Sequence, residues 1–595
     1  MKPQYSYQRI SSEKAQEIGL LNKRIVLLGW GRLVIFFLTG FAVWAFLAQF
    51  AVAFTLGIFG LGCFLFVLRK HVDLKAKRDH NERIRAYSNF ELDFLNGQVR
   101  GYDDGAEFID SHHPFTSDLD IFGNSSIFQY INRTKTLHAK EILADDLRKI
   151  DLEQKRILSN RSIISEFSKD PEFVFSYLSR AEGANSVEFK RDSTLKSILP
   201  YKRWILTATT IILPILSLGL TTALVMDTIT WSHYSQLILL LAIPVIICLK
   251  KNMTDFRTYE TRLKLAASFD KGLRQLRDYQ PNSKEVKALF NEVDLEESGE
   301  ALSALKKVNG AIDSRNNIFV GIALNLILFW DFQCHKRLAN WDRVWAKKFE
   351  SWIDFASRME VLFSYSVYVH NHGDFTYPEL SNHRQFNLKN ARHLLLHREG
   401  VSNDFSLEGA SKFMIVTGAN MAGKSTFLRT VGTNMLLATK GLPVPVESMS
   451  FTPTQLFTSM VTADNLGEGE SYFFSELKRL KELTSILEKD QPLFVILDEI
   501  LKGTNSLDKA EGSRLFMEKL LDLPAHGLIA THDLSLCKME ADFSEAIQNY
   551  SFEVEFKEGE LHFDYKLKRG VCKNMNARFL LEKMGLTKTT SPKEV

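Results

Sequence analysis

The sequence is poor in cysteine: Cys63, Cys248, Cys334, Cys537 and Cys572 are the five among 595 residues. None forms a close pair with metal-ligand spacing, and two lie in apolar runs. That excludes a disulfide framework and a cysteine zinc site, and reads as reduced thiols inside a cell. An excess of one charge is also missing. With 74 Lys and Arg against 71 Asp and Glu, the net charge is +3, which neither demands nor excludes a nucleic-acid partner. Residues 1–24 are polar and lack a cleavage-site pattern, so no signal peptide is expected.

Charge is absent altogether from Leu33 to Leu68, a run of 36 residues. One bilayer-spanning helix takes roughly 20. The run therefore predicts a transmembrane helical hairpin over 33–68, turning near Gln49-Phe50, with a single long span or a re-entrant pair left open. A second apolar region runs from Trp204 to Met226, breaks at Asp227–Ser232 and resumes from His233 to Leu249. It predicts a second hairpin over 204–249, in which Pro214 and Pro244 are tolerable when neighbouring groups satisfy the freed carbonyls. Lys23, Arg24, Arg32, Arg69 and Lys70 flank the first run, and Lys202, Arg203, Lys250 and Lys251 flank the second. By the positive-inside rule the large polar segments, including residues 1–32, are cytoplasmic, in a multi-pass protein of the cell (inner) membrane. The third apolar run, Ile318–Trp330 with Asn325 at its middle, is too short to span and reads as a buried core helix.

Residues 69–203 and 250–395 are mainly helical by pattern, as in Ile142, Leu143, Leu147 and Ile150 with charges between them. In 133–161 the bases Arg133, Lys135, Lys140 and Arg148 are interleaved with Glu141, Asp145 and Asp146, the pattern of a solvated helix face more than of a nucleic-acid surface. Over 396–585 short apolar strands alternate with helices: Met414–Val416, Leu493–Leu497 and Leu528–Ala530 against Phe427–Thr439 and Lys509–Leu521. That alternation predicts a parallel α/β sheet. Residues 586–595 form a polar tail.

The chemistry concentrates in Thr417–Thr426, TGANMAGKST. Gly418, four residues, then Gly423-Lys424-Ser425 is the phosphate-binding pattern. Glycines let consecutive N–H groups turn toward phosphate oxygens, and a helix N-terminus faces the same anion. Gly418, Ala419, Asn420, Met421, Ala422, Gly423, Lys424, Ser425 and Thr426 are thus the expected ATP cradle. Lys424 reaches the β- and γ-phosphates, and Ser425 holds Mg²⁺. An apolar strand runs into Asp498-Glu499, placing Asp498 on the metal and Glu499 where it can polarise water. Leu528–Ala530 leads into Thr531-His532-Asp533, so His532 falls beside the γ-phosphate as a sensor or water-orienting group. Gly467–Leu477, GEGESYFFSEL, reads either as a helix cap made by Ser471 or as a binding element.

Taken together, TGANMAGKST, GEGESYFFSEL, VILDEILKGTNSLD and IATHDLSL resemble the MutS mismatch-repair ATPases in order and spacing, with Asn420-Met421 as a distinctive pair. Phe552–Gly570 looks like that family's closing strands, and Ser125–Lys140 like the start of its core and lever region. The resemblance is strong over about 401–585, moderate over 115–170 and weak over 251–395. It implies an ABC-type P-loop ATPase domain at the C-terminus, preceded by a mainly α-helical core and lever. It also implies a homodimer whose composite sites take Lys424, Ser425, Asp498 and Glu499 from one copy and Ser471 from the other. Asn420 would help hold phosphate. The chain departs from the family at Ala419, Ala422, Leu501, Lys502, Tyr472 and Asn505. No N-terminal Phe-x-Glu wedge is present: Phe474-Ser475-Glu476 and Phe556-Lys557-Glu558 lie within or after the ATPase segments. Wedge insertion is the physical basis of mismatch reading, so its lack argues against mismatch specificity. The expectation is a membrane-anchored ATPase with ATP and Mg²⁺ as cofactors, the lipid bilayer as a partner and double-stranded DNA as a candidate one. The alternative is an ABC-like membrane motor or transporter without DNA binding, against which stands the lack of an LSGGQ-type signature.

Overall fold

A computed structural model describes residues 2–98, 102–181, 203–241, 243, 269–315, 318–396, 398–419, 421–460, 472–502, 505–557 and 560–572. The chain divides into two compact units: Met1–Asn96, Arg133–Ile142 and Asp170–Phe363 form one, and Gly97–Asn132, Leu143–Lys169 and Ser364–Val595 the other.

The first unit opens with two long helices, α1 (Pro3–Ala45) and α2 (Phe50–Leu95). They pack on each other around a turn at Phe46–Gln49, where the sequence placed one. Their approach is close at Gly60, where a methyl group would meet Thr39 Oγ1 at 2.1 Å. In α1, Tyr7, Ile10, Lys14, Ile18 and Leu21 recur at helical spacing and are buried, whereas nothing beyond Leu21 is. Val26, Leu27, Trp30, Phe37 and Trp44 are all more than half exposed. The apolar stretch thus begins at Ile25, before Arg32, and reaches Ala45, about 30 Å of helix at 1.5 Å per residue. Both helices are long and apolar enough to cross a membrane. Counting only the charge-free residues understated the first, because one arginine near the end of an apolar helix can extend its head to the interface.

Arg203–Val225 is a third apolar helix, with Pro214 inside it, and residues 231–241 are helical too. The rest of the second expected hairpin, beyond Ile243, lies outside the described residues. Ile318–Leu328 is a helix, but not an enclosed one: Ile322 is 57% exposed. It packs on the 203–225 helix, whose Ser217 hydroxyl donates to Leu326 O. Asn325 closes it by donating to Gly321 O and Asp331 Oδ1 and accepting from Asp331 N. A 42-residue helix, Trp330–Asn371, follows, and its residues from Ser364 onward belong to the second unit. Glu360 on it is fully buried and accepts from Lys135 N, Thr136 N and Thr136 Oγ1, capping the helix Leu137–Leu147.

The second unit carries two sheets. β1 (Glu379–Leu380), β5 (Ser448–Phe451), β2 (Gln385–Ala391) and β3 (Asn403–Glu408) form the smaller, in that order. The 250–395 segment is therefore not helical to its end: Phe386 and Leu388 of β2 are buried in strand alternation, and Ala391 is buried beyond a shift in register. The larger sheet has the order β10 (Glu560–Arg569), β9 (Ile547–Lys557), β4 (Phe413–Gly418), β8 (Ala525–Ala530), β7 (Leu493–Asp498), β6 (Gln455–Ser459), parallel except for β10. β4 and β8 are buried at every position, which explains the apolar runs Phe413–Val416 and Leu528–Ala530, since a parallel strand is covered on both faces. Phe494 fills the space between the sheets, its ring centroid 4.8 Å from that of Phe386 and 5.3 Å from that of His526. Residues 112–120 are tied to the larger sheet by polar contacts. Arg479 donates to the carbonyls of His112, His113, Pro114 and Thr458, and Asp118 accepts from Thr458 Oγ1 and Met460 N.

Candidate functional site

The site forms at the C-terminal edge of the larger sheet, where β4, β7 and β8 end side by side. β4 stops at Gly418, whose φ is 150° and on which a methyl group would fall 2.7 Å from Phe552 O. Only glycine fits that approach. The chain turns through Met421 (φ 65°, side chain in solvent) and Gly423 (φ 103°), which caps the helix Lys424–Thr439 in the left-handed conformation. A methyl group at Gly423 would also meet the ring of Tyr565 at 3.2 Å. Asn420 lies outside the described residues, as do Ser471 and most of the segment before it.

Lys424 is buried and turned back on its own loop, donating to Gly418 O at 2.9 Å and Ala419 O at 3.0 Å. Burial pulls its ammonium below the usual lysine range, and Asp498 and Glu499 oppose that pull. Ser425 Oγ donates to Asp498 Oδ2 at 2.7 Å. Glu499, one residue past β7, is anchored by its N–H on Ala530 O and accepts from His532 Nε2 at 2.9 Å. The hydrogen bond from His532, with Lys502 and burial as lesser influences of opposite sign, holds the Glu499 carboxyl down at about 2. His532 Nε2 also stands 3.2 Å from Lys424 Nζ. One ring nitrogen cannot accept from the lysine and donate to the glutamate at once. Beside an ionised carboxylate it carries the proton, so the lysine spends its donors on the loop carbonyls.

A cleft of about 690 Å³ joins these groups to His393, which no motif singled out, and to Tyr565. Its walls include Lys424, Ser425, Asp498, Glu499, His393 and Tyr565. His393, just after β2, is 8% exposed, and neither ring nitrogen has a hydrogen-bond partner. Burial pushes it down to about 4, so the imidazole is neutral at pH 7. No local pattern marks it. Tyr565, within the Phe552–Gly570 stretch singled out from the sequence, stacks on Phe563 and offers a half-exposed aromatic face on β10.

Glu476 was also overlooked, five residues past Ser471 in the very segment read for its hydroxyl. Its carboxylate accepts from Leu501 N and Lys502 N, in the turn just beyond Glu499. Glu499 (φ 55°) and Leu501 (φ 58°) are both left-handed there. Each such residue costs about 1–2 kcal/mol. Two hydrogen bonds to a charged group return about 1.5–3 kcal/mol apiece, enough to hold the turn.

The arrangement sets a glycine turn, a lysine and a helix N-terminus around space for an anion. The Ser425 and Asp498 oxygens suit a hard divalent cation, and a carboxylate-imidazole pair stands beside them. Fold and site together define an α/β domain of the P-loop ATPase-like class. Residues 414–582 match the family model for MutS domain V. The chain is 32% identical over 223 residues to a DNA mismatch repair protein MutS of Lysinibacillus sphaericus (strain C3-41), covering 36% of this chain and 26% of that one. It is 30% identical over 236 residues to MutS protein homolog 4 of Homo sapiens, covering 38% and 24%. A DNA mismatch repair protein MutS of Thermotoga sp. (strain RQ2) is 31% identical over 223 residues, 36% and 27%. Residues 414–582 thus form a MutS-type domain V, and the chain spans about a quarter of the length of these curated relatives.

Proposed function

We propose that the chain is a membrane-anchored MutS-family ATPase. The observation that carries this reading is the meeting, in one cleft, of Lys424 on its glycine loop, Ser425 with Asp498, and Glu499, to which His532 is hydrogen-bonded. The phosphates of ATP take over the Lys424 donors from the loop carbonyls. Ser425 and Asp498 would hold Mg²⁺, which would supply neutralisation of charge developing on the phosphates. His532 turns to the γ-phosphate and so releases Glu499, which polarises the attacking water and takes its proton. The base of the nucleotide stacks on Tyr565. A second copy of the chain supplies Ser471, so that ATP closes a homodimer and hydrolysis reopens it.

The bare apolar lengths of α1 and α2 support anchoring, because each large side chain withdrawn from water contributes about 1.5–3 kcal/mol. Positive flanks put the ATPase domain on the cytoplasmic side of the inner membrane. The helix Trp330–Asn371 is the lever through which closure reaches the rest of the chain. Relatives named for DNA mismatch repair make duplex DNA a candidate partner, read by backbone contacts and without a wedge.

The test is ATP turnover by the detergent-purified chain. Lys424→Ala should weaken nucleotide binding at least a hundredfold. Glu499→Gln should bind ATP, turn it over a hundredfold more slowly or worse, and accumulate as the closed dimer. Turnover by Glu499→Gln equal to that of the parent chain rejects the reading of the site. Failure to retain duplex DNA at low salt rejects the DNA arm alone.

A further inference from the structure

We infer that Glu476 is a positioning residue, whose carboxylate sets the turn carrying Glu499 and ties it to the helix that starts at the Ser471 segment. The inference rests on the ATPase reading above and deepens it.

Glu476 lies one turn into the helix Tyr472–Leu487 and is 4% exposed. It lines no part of the cleft and cannot touch a nucleotide held there. Its two oxygens accept from consecutive amides, Leu501 N and Lys502 N. Those amides follow Glu499 directly, in a backbone that places two non-glycine residues in the left-handed region. Burial raises the Glu476 carboxyl above its usual range, and the two amides draw it back. The carboxylate is therefore matched to this turn and has little water to fall back on.

The helix that presents Glu476 is itself fixed. Arg479, one turn further along, donates to four main-chain carbonyls from His112 to Pro114 and at Thr458. A displacement at the start of this helix therefore reaches the Glu499 turn through one side chain. In the proposed dimer that start faces the partner copy's nucleotide. Glu476 then makes the water-activating group of one site respond to the occupancy of the other.

The experiment uses the full chain carrying Glu476→Gln, which keeps the shape and one acceptor but replaces the other with a donor facing an amide. Expected are a fall in kcat of tenfold or more, a nucleotide Kd within twofold of the parent, and a melting transition that stays cooperative and drops by no more than the loss of one buried hydrogen bond brings. Amide exchange in peptides spanning 499–502 should accelerate tenfold or more, with exchange in the phosphate loop unaltered. Parental turnover in the variant, or unchanged exchange at Leu501 and Lys502, overturns the inference. So does a tenfold or greater rise in Kd together with a fall in kcat and loss of the cooperative melting transition, the mark of a role in folding alone. If the parent chain shows no turnover, the ATPase reading fails, and the exchange measurement still decides whether Glu476 holds the turn.

Discussion

Replacing His532 with alanine should uncover a titration that the parent chain hides. The His532 hydrogen bond is the largest cause holding Glu499 at about 2, against an ordinary value of 4.5. A carboxylate lowered in this way contributes stability above about pH 4.5 that is lost as pH falls toward 2. Across that window the parent keeps its base ionised. At pH 4 a group titrating at 2 is about 1% protonated, whereas one titrating at 4.5 is about three-quarters protonated. Burial of the carboxyl and Lys502, 3.9 Å from Glu499, both remain in the variant and act on the base in opposite directions. The profile of kcat/KM reports groups of the free enzyme. Between pH 8 and pH 4, with folding checked by circular dichroism, the parent should show no acid limb from Glu499. His532→Ala, slower at every pH, should lose a further half or more of its rate on approaching pH 4. Glu499→Gln should show no such limb in either background. An acid limb shared by parent and variant, or one present in the parent and missing from the variant, would refute the pairing.

Two further outcomes follow from single contacts. Gly418→Ala forces a methyl group to within 2.7 Å of Phe552 O, so the loop must shift; nucleotide affinity should fall tenfold or more by fluorescence titration while the circular dichroism spectrum is kept. Lys440 is 1% exposed between Asp146 and Asp151, 3.4 Å from each. Lys440→Ala removes the cation the two carboxylates share, leaving Asp151 with Arg156 and Asp146 with the Tyr365 hydroxyl, and should cost about 1–3 kcal/mol, seen as a lower denaturant midpoint for the second unit.

What could be read in advance was local. β4 and β7 carry the apolar runs Phe413–Val416 and Leu493–Leu497 and β8 the shorter Leu528–Ala530, and a run covered on both faces looks the same wherever it lies in a chain. The phosphate loop and the Asp498-Glu499 pair follow those runs directly, so their places at one sheet edge came with the strands. The uncovered stretch of α1 was legible as an apolar run but not in its full length, because Arg32 concealed that Ile25–Gly31 continue it. β2 was missed because its alternation rests on Phe386 and Leu388 alone, with Asn387, Lys389 and Asn390 between and after them.

What could not be read in advance is a set of polar ties between segments far apart in the chain. Glu476 holds a turn 25 residues on, Glu360 caps a helix some 224 residues back, and Arg479 reaches carbonyls more than 360 residues away. Their types are ordinary, a glutamate or arginine on a charged helix, and the same composition most often marks a solvated face. Burial separates the two cases. A buried charge must find partners, and here its partners are main-chain groups of remote segments, so each tie fixes tertiary position and leaves no periodic trace. The site divides along the same line. Groups proposed to touch ATP stand in motifs because they must lie next to a particular turn. The group that sets the angle of Glu499 has only to be near it in space, and any helix crossing behind the turn could have supplied it.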